Sequence, residues 1–419
     1  MSNESGKTRR ERQVPLPSVE AIQRELGKAE SMDDFFGKEG IFGRLFSRTM
    51  EAMLEAELTE HLGCERYEAN GRNSGNSRNG NYPKKIRTSG GEAEIQVPRD
   101  RNGEFVPTML EKHQTNSNEI ERKVLTFYAK GNSTRDIQSM LAELYGIEVS
   151  ATTISAITDK VWPLVEEWQN RTLEKVYPIV FLDALHVKLR QEGKVVNTAV
   201  YNVLGVELDG HRDILGHWLG SGNEGANFWL SVITDLQTRG VEDIFIACVD
   251  GLSGFSDAIH AVFPQALVQR CIIHQIRQSL RYVSWADKKE FAQDLKRIYR
   301  ASTRDEAEHQ LLALGEKWNQ QYALSVRSWE NNWEELATLF HFPDEIRRLI
   351  YTTNTIEGYH RQLRKVTKTK GSFPTSESVR KLLYLANDSI TKKWTAPVRN
   401  WTKILNQVAI RFEERMPVP

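Results

Sequence analysis

Apolar residues change their spacing along the chain, and each change indicates a different kind of secondary structure. From Val19 to Leu62 they recur largely every three or four positions, which predicts a helical N-terminal segment, residues 1–62. Over residues 63–117, Gly and Asn interrupt this pattern, and the short alternating run EAEIQVP predicts one or two strands. The chain is therefore expected to begin with helices and to continue through a loop-rich segment.

Start and stop signals for three short helices follow in residues 118–176. The Ser133–Thr134 pair is placed to cap the second helix, and Gly146 is placed to end it. Ser150 is placed to cap the third helix, whose apolar face is predicted to reach Val161. Two helices joined by a short Gly-containing turn are typical of a helix-turn-helix, whose last helix enters the DNA major groove. An ordinary three-helix bundle is the alternative.

The pattern changes to that of a mixed sheet beyond Pro178. Three hairpin-connected strands are predicted first, then helix and strand in alternation: Ile179–Leu189, Val195–Val206, Ile214–Leu219, helix Glu224–Gln237, strand Asp243–Val249, helix Gly251–Phe263 and strand Leu267–Cys271. This order predicts a ribonuclease-H-like core whose first part is residues 177–273. Residues 274–350 are charged and helical throughout, which predicts a helical insertion before the core resumes over 351–419. The predicted fold class is therefore α+β and multidomain, with a mainly helical DNA-binding region before the core.

Composition narrows the class of protein. The 39% hydrophobic content is ordinary for a folded domain, and no apolar run approaches the roughly 18 residues that cross a bilayer. The N-terminus lacks the apolar core of a secretory signal, so a cytoplasmic, nucleoid-associated location without a membrane partner is expected. The cysteines form no CxxC pair, which argues against a disulfide framework and against a zinc finger.

Basic residues are clustered although Lys+Arg and Asp+Glu are equal at 56 each. No acid occurs between Ala69 and Gly91, and Thr and Ser hydroxyls lie on the predicted exposed face of the third helix. Such patches suit contacts with DNA phosphates, although solvated surface runs look the same. The candidate DNA-binding residues of these two regions are Arg72, Arg78, Lys84, Lys85, Arg87, Thr152, Thr153 and Ser155.

Three acids occur where the predicted fold would bring them together. Asp183 lies inside an apolar strand, where an uncompensated carboxylate would be costly. Asp250 follows the buried strand at the edge where such sheets present ligands, and Glu357 begins a helix expected beside both strands. Carboxylates are the hard ligands that Mg²⁺ prefers, and two Mg²⁺ ions suit phosphodiester cleavage and transfer. These three residues are the candidate catalytic and metal-binding residues.

Basic residues follow Glu357 on the same predicted helix face. Arg361, Arg364 and Lys368 stand four, seven and eleven positions further on, as residues on one side of a helix do. A catalytic acid and basic residues on one face would hold a substrate phosphate near the metal ions. They are therefore candidate DNA-binding residues as well.

The motifs together resemble those of a known family, the Mutator-type transposases of bacterial insertion sequences. The matching motifs are GRNSGNSRNG, VPRDRNGEF, GNSTRDI, VSATTIS, FLDALHVKLR, CVDGLSGF, QRCIIHQIR, YTTNTIEG and RKVTKTKGSFP, and the resemblance runs from about Phe35 to about Arg411. It implies a DDE-type transposase with a ribonuclease-H-like core and a helical insertion. It also implies action on the terminal inverted repeats of the element.

Accessory candidates come from the same motifs. Cys271 and His274 match a Cys-x-x-His element of the family, for which a structural or DNA-positioning role is favoured over a metal. Trp329 and Trp333 are one helical turn apart, which is more typical of a core. Related transposases are thought to stack a flipped base on an aromatic residue, so both tryptophans are retained as candidates.

Two other functions fit parts of the sequence. A DNA-binding regulator would explain the helix-turn-helix but not the buried Asp183, and a metal-dependent nuclease of the same fold would cleave without joining. The expected partners are the terminal inverted repeats and target DNA. A homodimer or higher oligomer is expected because two element ends must be held together. Mn²⁺ is expected to be able to substitute for Mg²⁺.

Overall fold

The computed structural model describes residues 19–27, 34, 40–68, 75–88, 91–110, 118–220, 226–251, 254–351 and 354–417. The chain divides into two compact units: the first comprises Met1–Tyr128 and Asn132–Asp159, and the second comprises Ala129–Gly131 and Lys160–Pro419. Helices and strands both occur, so the predicted α+β class is confirmed. No helix in these described ranges is long and apolar enough to cross a membrane.

A β-hairpin packed on a long helix forms the core of the first unit. The elements lying wholly or mainly in this unit are α1 (Val19–Leu26), α2 (Ile41–Leu62), β1 (Arg78–Thr88), β2 (Gly91–Asp100), α3 (Asn118–Ala129), α4 (Thr134–Tyr145) and α5 (Ala151–Asp159). β1 and β2 pair in antiparallel register, which confirms the predicted strands. Leu54 of α2 is buried together with Ile86 of β1 and Ile95 of β2. Apolar burial therefore joins the hairpin to α2.

The helix caps lie where the sequence predicts them. Ser133 and Asp136 form a reciprocal capping box at the start of α4, and Gly146 ends this helix in the left-handed conformation. The Ser150 hydroxyl accepts the Thr153 N–H at 3.0 Å and so caps α5. These side chains satisfy backbone groups that would otherwise lack partners at the helix ends.

The end of the third helix was predicted wrongly. α5 ends at Asp159, so Val161 lies beyond it, and a separate helix α6 (Trp162–Gln169) follows in the second unit. Pro163 lies at the start of α6. Proline is tolerated in the first turn because its missing N–H needs no partner there, so Pro163 begins a helix.

A mixed sheet forms the centre of the second unit. Its strands are β3 (Val176–Gln191), β4 (Lys194–Val206), β5 (Arg212–Leu219), β6 (Asp243–Val249) and β7 (Leu267–Arg270). Within the described residues their order is β5-β4-β3-β6-β7, with β4 antiparallel to β3 and β5 and with β6 parallel to β3 and β7. Glu192 and Gly193 both adopt positive φ at the β3–β4 turn, as a two-residue hairpin requires. The predicted strands and this turn are confirmed.

Helices cover the sheet and fill the rest of the second unit. They are α7 (Ala226–Thr238), α8 (Phe255–Val262), α9 (Ile272–Leu280), α10 (Lys288–Tyr299), α11 (Arg304–Asn331, kinked at Tyr322), α12 (Trp333–Ala337), α13 (Asp344–Ile350), α14 (Asn354–Thr367), α15 (Ser376–Thr391) and α16 (Trp401–Arg411). Trp229 of α7 and Phe255 of α8 pack into the core against the sheet. α14 packs on β3, and His360 of this helix lies 3.2 Å from Asp183 of that strand. The predicted all-helical character of residues 274–350 is confirmed.

Candidate active site

Asp183 is a buried carboxylate on the central strand β3. Its side chain is 8% exposed, and it lies opposite Asn202 in the β3–β4 register. Oδ1 accepts the N–H of Ala184 at 2.8 Å, and Oδ2 lies 3.2 Å from Nδ1 of His360. Burial alone would raise the pKa of Asp183, but the His360 contact, the charge of His274 and the Ala184 N–H hold that pKa below its usual value. Asp183 is therefore maintained as an anion.

Asp250 reaches the same place from the adjacent parallel strand. It follows the last residue of β6, and its side chain is one-third exposed. One ligand atom from each of Asp183, Asp250 and His274 lies within 4.8 Å of the other two. Burial raises the pKa of Asp250 and the nearby Asp183 charge adds to this effect, while His274 opposes it. Two carboxylates on neighbouring strands thus face a common point.

His274 lies between the carboxylates. It is in the first turn of α9, with Nδ1 3.3 Å from Asp250 Oδ1 and Nε2 3.5 Å from Glu357 Oε1. Burial would lower its pKa, but the contact with Cys271 and the charges of Asp250 and Asp183 raise that pKa to about 9. The imidazole is therefore positively charged at neutral pH and partly balances the acids.

Glu357 joins this group from α14. It lies in the first turn of the helix, and Oε1 accepts a hydrogen bond from Arg277 Nη1 at 2.8 Å in addition to its contact with His274. The predicted acids are thus brought to one location, although Glu357 is joined to Asp250 through His274. A helix start favours a carboxylate because the backbone N–H groups there carry partial positive charge.

The donor set fits a divalent cation. Carboxylate oxygens of Asp183 and Asp250 are the hard ligands that Mg²⁺ and Mn²⁺ take, whereas the His274 imidazole would have to lose its proton before its nitrogen could bind a cation. Glu357 Oε1 lies 3.5 Å from His274 Nε2, so this carboxylate is near enough to offer the cation a further oxygen ligand. Cys271 is the buried residue that precedes α9 and is no member of this ligand group in the described residues.

A basic cavity of about 270 Å³ adjoins Asp250. Its lining includes Arg270, Arg277 and Arg281 together with His274. Arg277 and Arg281 are four residues apart along α9 and its C-terminus, so they lie on one side. A strongly basic wall beside carboxylates suits a phosphate group that approaches the acids.

The backbone beside Asp250 is held by Arg270. Nη1 of Arg270 donates to the carbonyl of Gly251 at 3.0 Å, while Nε donates to Glu335 Oε2 at 2.7 Å. A Cβ on Gly251 would lie 2.5 Å from Nη1, so any larger residue there would displace this guanidinium. Arg270 thus connects the backbone next to Asp250 to Glu335 of the helical insertion.

Comparison with known proteins identifies the family. The family model described as "Transposase, Mutator family" matches residues 19–397. The chain belongs to the Mutator family of transposases. The transposase is 44% identical over 402 residues to the "Transposase for insertion sequence element ISRM3" of Rhizobium meliloti (strain 1021), covering 94% of this chain and 99% of the relative. It is 32% identical over 358 residues to the "Transposase for insertion sequence element IS1201" of Lactobacillus helveticus, covering 85% and 95%.

The candidate DNA-binding residues on the β1–β2 hairpin of the transposase differ in their exposure and in their contacts. Arg78 on β1 pairs with Glu55 of α2 at 3.0 Å and donates to Thr59, so its guanidinium serves packing within the unit. Lys84 is half-buried, which lowers its pKa, and Lys85 is exposed. Arg72 and the side chain of Arg87 lie outside the described residues.

The hydroxyl candidates lie at the start of α5. Thr152 and Ser155 are exposed, whereas the Thr153 hydroxyl lies 2.8 Å from the Ser150 hydroxyl within the cap. The Thr153 hydroxyl is therefore engaged in the cap at the start of α5, and Thr152 and Ser155 are the more accessible pair. All remain candidates for DNA contact.

The basic stripe of Arg361, Arg364 and Lys368 is exposed along and just beyond α14. Lys368 follows the last helical residue, and its N–H still donates to the Arg364 carbonyl at 3.1 Å. The structure therefore places these charges on the helix that carries Glu357. This arrangement agrees with the spacing in the sequence.

The two candidate tryptophans of the insertion, Trp329 and Trp333, both donate their indole N–H to other side chains of the protein. Trp329 is completely buried and donates its indole N–H to the Ser279 hydroxyl at 3.0 Å. Trp333 is partly exposed and donates to Glu308 at 2.9 Å. A buried ring offers no face to a base, so Trp329 has the core role that its spacing favours.

Sequence reasoning did not single out a buried polar chain beneath Asp183. Asn202 of β4, His217 of β5 and His360 of α14 are each at most 5% exposed. The Asn202 side chain contacts both histidines. Their contacts join residues up to 158 positions apart, which no local pattern reveals. The available signal was the spacing of three between Glu357 and His360, which places them on neighbouring positions of one helix.

Proposed function

We propose that this transposase cleaves and joins DNA with Asp183, Asp250 and Glu357 as a DDE-type catalytic set. The observation that carries the proposal is the convergence of Asp183 and Asp250 from adjacent parallel strands with Glu357 reaching them from α14 through His274. The sheet order, three antiparallel strands followed by two parallel ones, supports a ribonuclease-H-like core. The core would comprise residues 177–273 and 351–419, interrupted by the helical insertion.

The donor set supports two Mg²⁺ ions, for which Mn²⁺ can substitute. When bound, they would activate the attacking oxygen and stabilise the departing one. Asp183, Asp250 and Glu357 would hold them. Arg277 and Arg281 would bind the phosphate backbone beside the acids, and the basic stripe on α14 would extend that contact. The side chains thus divide into metal-holding and DNA-holding groups.

The substrate is proposed to be the two terminal inverted repeats of an insertion sequence and a target DNA. The curated relatives are named as transposases of insertion sequence elements, which supports this choice. The capped helices α4 and α5 are proposed to form the helix-turn-helix that contacts the repeats together with the hairpin β1–β2. Two ends must be paired for joining, so an assembly of at least two copies is proposed.

Isosteric substitution of the acids tests the mechanism. Asp183→Asn, Asp250→Asn and Glu357→Gln remove charge with little change of shape, so each variant should bind element ends normally and lose strand cleavage by orders of magnitude. Asp209→Asn, in the β4–β5 turn, is the matched control and should cleave normally. Cleavage and joining are followed on labelled end DNA with Mg²⁺ and a target.

The products distinguish this proposal from its alternatives. Joined product in the wild type supports a transposase mechanism, whereas hydrolysis without joining under all conditions would indicate a nuclease. Near wild-type cleavage by two of the three acid variants would contradict the proposed catalytic set. Failure to cut any DNA while binding it specifically would indicate a regulator.

A further inference from the structure

We propose that a cavity of about 620 Å³ beside α9 binds one unpaired nucleotide of the DNA strand that crosses the proposed metal site. The inference rests on the proposed function, because it names a part of the DNA substrate. The cavity lies where the helical insertion leaves and rejoins the core, between Ile273 in the first turn of α9 and Tyr351 just after α13. The Ile272 N–H donates to the Tyr351 carbonyl at 3.1 Å and joins these two walls.

One arginine of this cavity forms part of its wall. Nη1 of Arg347 donates to the carbonyls of Ser302 at 3.2 Å and Ala301 at 3.4 Å. Nη2 donates to the carbonyl of Phe340 at 3.3 Å, and Nε donates to that of Phe342. Because these carbonyls occupy most of its donors, Arg347 fixes α13 against the segment that precedes α11 and has little capacity left for a ligand.

Two other arginines of the cavity are available to an anion. Arg300, just after α10, and Arg348 of α13 are exposed, and neither forms an ion pair within the described ranges of the chain. Together with Arg347 they outnumber Asp344, the acid in the same lining. Like charges around one cavity repel each other, so a phosphate group that enters it relieves this repulsion and accepts hydrogen bonds from the free guanidinium groups.

Two tyrosine rings line the cavity beside these charges. Tyr299 is the last residue of α10 and Tyr351 follows α13, and both are half-buried. Neither ring stacks on another aromatic residue in the part of the chain that the structure describes. Ile273 and Leu339 add apolar surface next to them. Every base has a π-face that can stack on such a ring, so the cavity combines the basic and aromatic groups that bind single-stranded DNA.

The size of the cavity suits one nucleotide and excludes a duplex. Cavities that enclose small organic ligands usually measure about 300–1,000 Å³, and the 620 Å³ of this cavity lies inside that range. A double helix cannot enter such a space, because its major groove alone is about 12 Å wide. The base that occupies the cavity must therefore have separated from its partner on the other strand.

The cavity adjoins the proposed metal site along α9. Ile273 immediately precedes His274, and Arg277 stands one helical turn after Ile273 on the same side of the helix. Arg277 also lines the basic cavity next to Asp250 and donates to Glu357 at 2.8 Å. A strand that passes Arg277 therefore leads from the acids to the tyrosines, so the bound nucleotide is a near neighbour of the phosphate that is cleaved.

Photochemical crosslinking locates this nucleotide without metal or catalysis. Element-end DNA carries a short unpaired flank with 5-iodouracil at one flank position at a time, and the full-length protein is irradiated with it in EDTA. Mass spectrometry identifies the crosslinked residue. We expect adducts on Tyr299 or Tyr351 that disappear when the flank is fully paired. Absence of adducts from both tyrosines, or equal adducts with the paired flank, would overturn the inference.

Two double substitutions separate base stacking from the packing of the tyrosines. Tyr299→Phe with Tyr351→Phe keeps both rings, whereas Tyr299→Leu with Tyr351→Leu removes both. We expect the wild type and the phenylalanine variant to bind the unpaired flank about 10-fold more tightly than the paired flank, and the leucine variant to lose this preference. Binding is measured by fluorescence anisotropy in EDTA, and thermal unfolding checks that the variants are folded.

The phosphate contact is tested at Arg348. Arg348→Gln should weaken binding of the unpaired flank and reduce the slope of log affinity against log salt by about 0.7, the value for one lost contact with a single strand. Arg399→Gln, at an exposed arginine near the β4–β5 turn, is the matched control and should leave the slope unchanged.

Each result decides the inference separately from the proposed function. A preference for the unpaired flank that survives in the leucine variant, or equal slopes for Arg348→Gln and the wild type, would overturn it. If a double variant does not fold, the wild-type crosslinks still decide. Normal cleavage by Asp183→Asn would contradict the proposed catalytic set alone, because the crosslinks and affinities are measured without catalysis.

Discussion

At the scale of single residues, His217 makes the folded protein sensitive to acid. Its pKa is lowered to about 3 by burial, below the usual 6.5. As pH falls below about 6.5 the unfolded chain binds a proton that the folded chain refuses until about pH 3, so stability is lost through that window. Above pH 6.5 both states are neutral at this residue and its contribution to pH dependence vanishes.

Replacement of His217 isolates this effect. His217→Gln should lower stability at pH 7, because buried hydrogen bonds change, but its thermal unfolding midpoint should fall less than that of the wild type between pH 6.5 and 4. Unfolding is followed by circular dichroism at half-unit pH steps. Parallel curves for the two proteins would show that another group accounts for the acid sensitivity.

Gly251 provides a second prediction at this scale. Gly251→Ala should displace the Arg270 guanidinium, since the new Cβ would lie 2.5 Å from Nη1, and should weaken its hydrogen bond to the Gly251 carbonyl beside Asp250. We expect cleavage to fall by about 10- to 100-fold, the usual effect of misplacing a catalytic group. DNA binding should change little, and this is checked by gel shift.

Gly358 is the matched position for that experiment. It follows Glu357 inside α14, and a Cβ there would meet nothing within 4 Å. Gly358→Ala should therefore stabilise the protein by about 0.5–1 kcal/mol, because alanine favours a helix. Chemical denaturation measures the change, and a destabilised variant would contradict the helical surroundings of this residue.

The acids could be predicted from the sequence because their neighbours are conspicuous. Asp183 interrupts an apolar strand, and Asp250 directly follows another, so the apolar runs place both acids at a sheet. His360 and Asn202 give no such signal, since buried histidine and asparagine are as common in structural roles. Their partners are far apart in sequence, and only folding brings them together.

At the scale of elements, α14 carries both a proposed catalytic acid and the basic stripe proposed to contact DNA. Glu357 lies in its first turn and Arg361, Arg364 and Lys368 are exposed along and just after it. Arg361→Gln or Lys368→Gln should weaken DNA binding at moderate salt and reduce the slope of log affinity against log salt by about 1 per lost phosphate contact. Lys393→Gln, an exposed lysine after α15, is the charge-matched control.

The salt series decides the role of this stripe. Cleavage by the stripe variants should recover toward wild type at low salt, where the remaining phosphate contacts strengthen. Loss that is equal at every salt concentration would indicate a catalytic or folding role. Loss in Lys393→Gln of the same size would indicate a general effect of net charge.

Elements were predicted well where capping and turn chemistry is local. Ser133, Gly146 and Ser150 mark the helix ends, and Glu192–Gly193 marks the first hairpin turn. The prediction was wrong at Asp159, because an apolar spacing that continues to Val161 does not reveal that the helix is interrupted before Pro163. The spacing of apolar residues therefore predicts which face of a helix is buried more reliably than it predicts where the helix ends.

At the scale of the whole molecule, the chain consists of two compact units joined near residue 160. The first unit has its own apolar core around Leu54, Ile86 and Ile95. A fragment of residues 1–162 should therefore fold and bind terminal DNA specifically, with affinity that falls as salt rises. Competition with random DNA in a gel shift measures the preference. No preference for element ends would show that recognition lies elsewhere.

The sequence predicted the order of helices and strands along the chain, because each type has its own spacing of apolar residues. It could not give the coupling between Arg270 and Glu335, or the contact of His274 with Asp250 and Glu357, since these depend on side-chain directions in the folded core. The acids proposed as catalytic can therefore be chosen from the sequence, while most of the groups that contact them are evident only from the structure.

Helical phase links the two halves of the proposed site. Glu357 and His360 project from α14 on neighbouring positions, one toward His274 and the other toward Asp183. A single codon inserted between Gly358 and Tyr359 would preserve the reading frame and the helix, yet it would rotate all later residues by about 100° relative to Glu357. Copies of the gene can therefore become inactive through an in-frame insertion that leaves every acid intact.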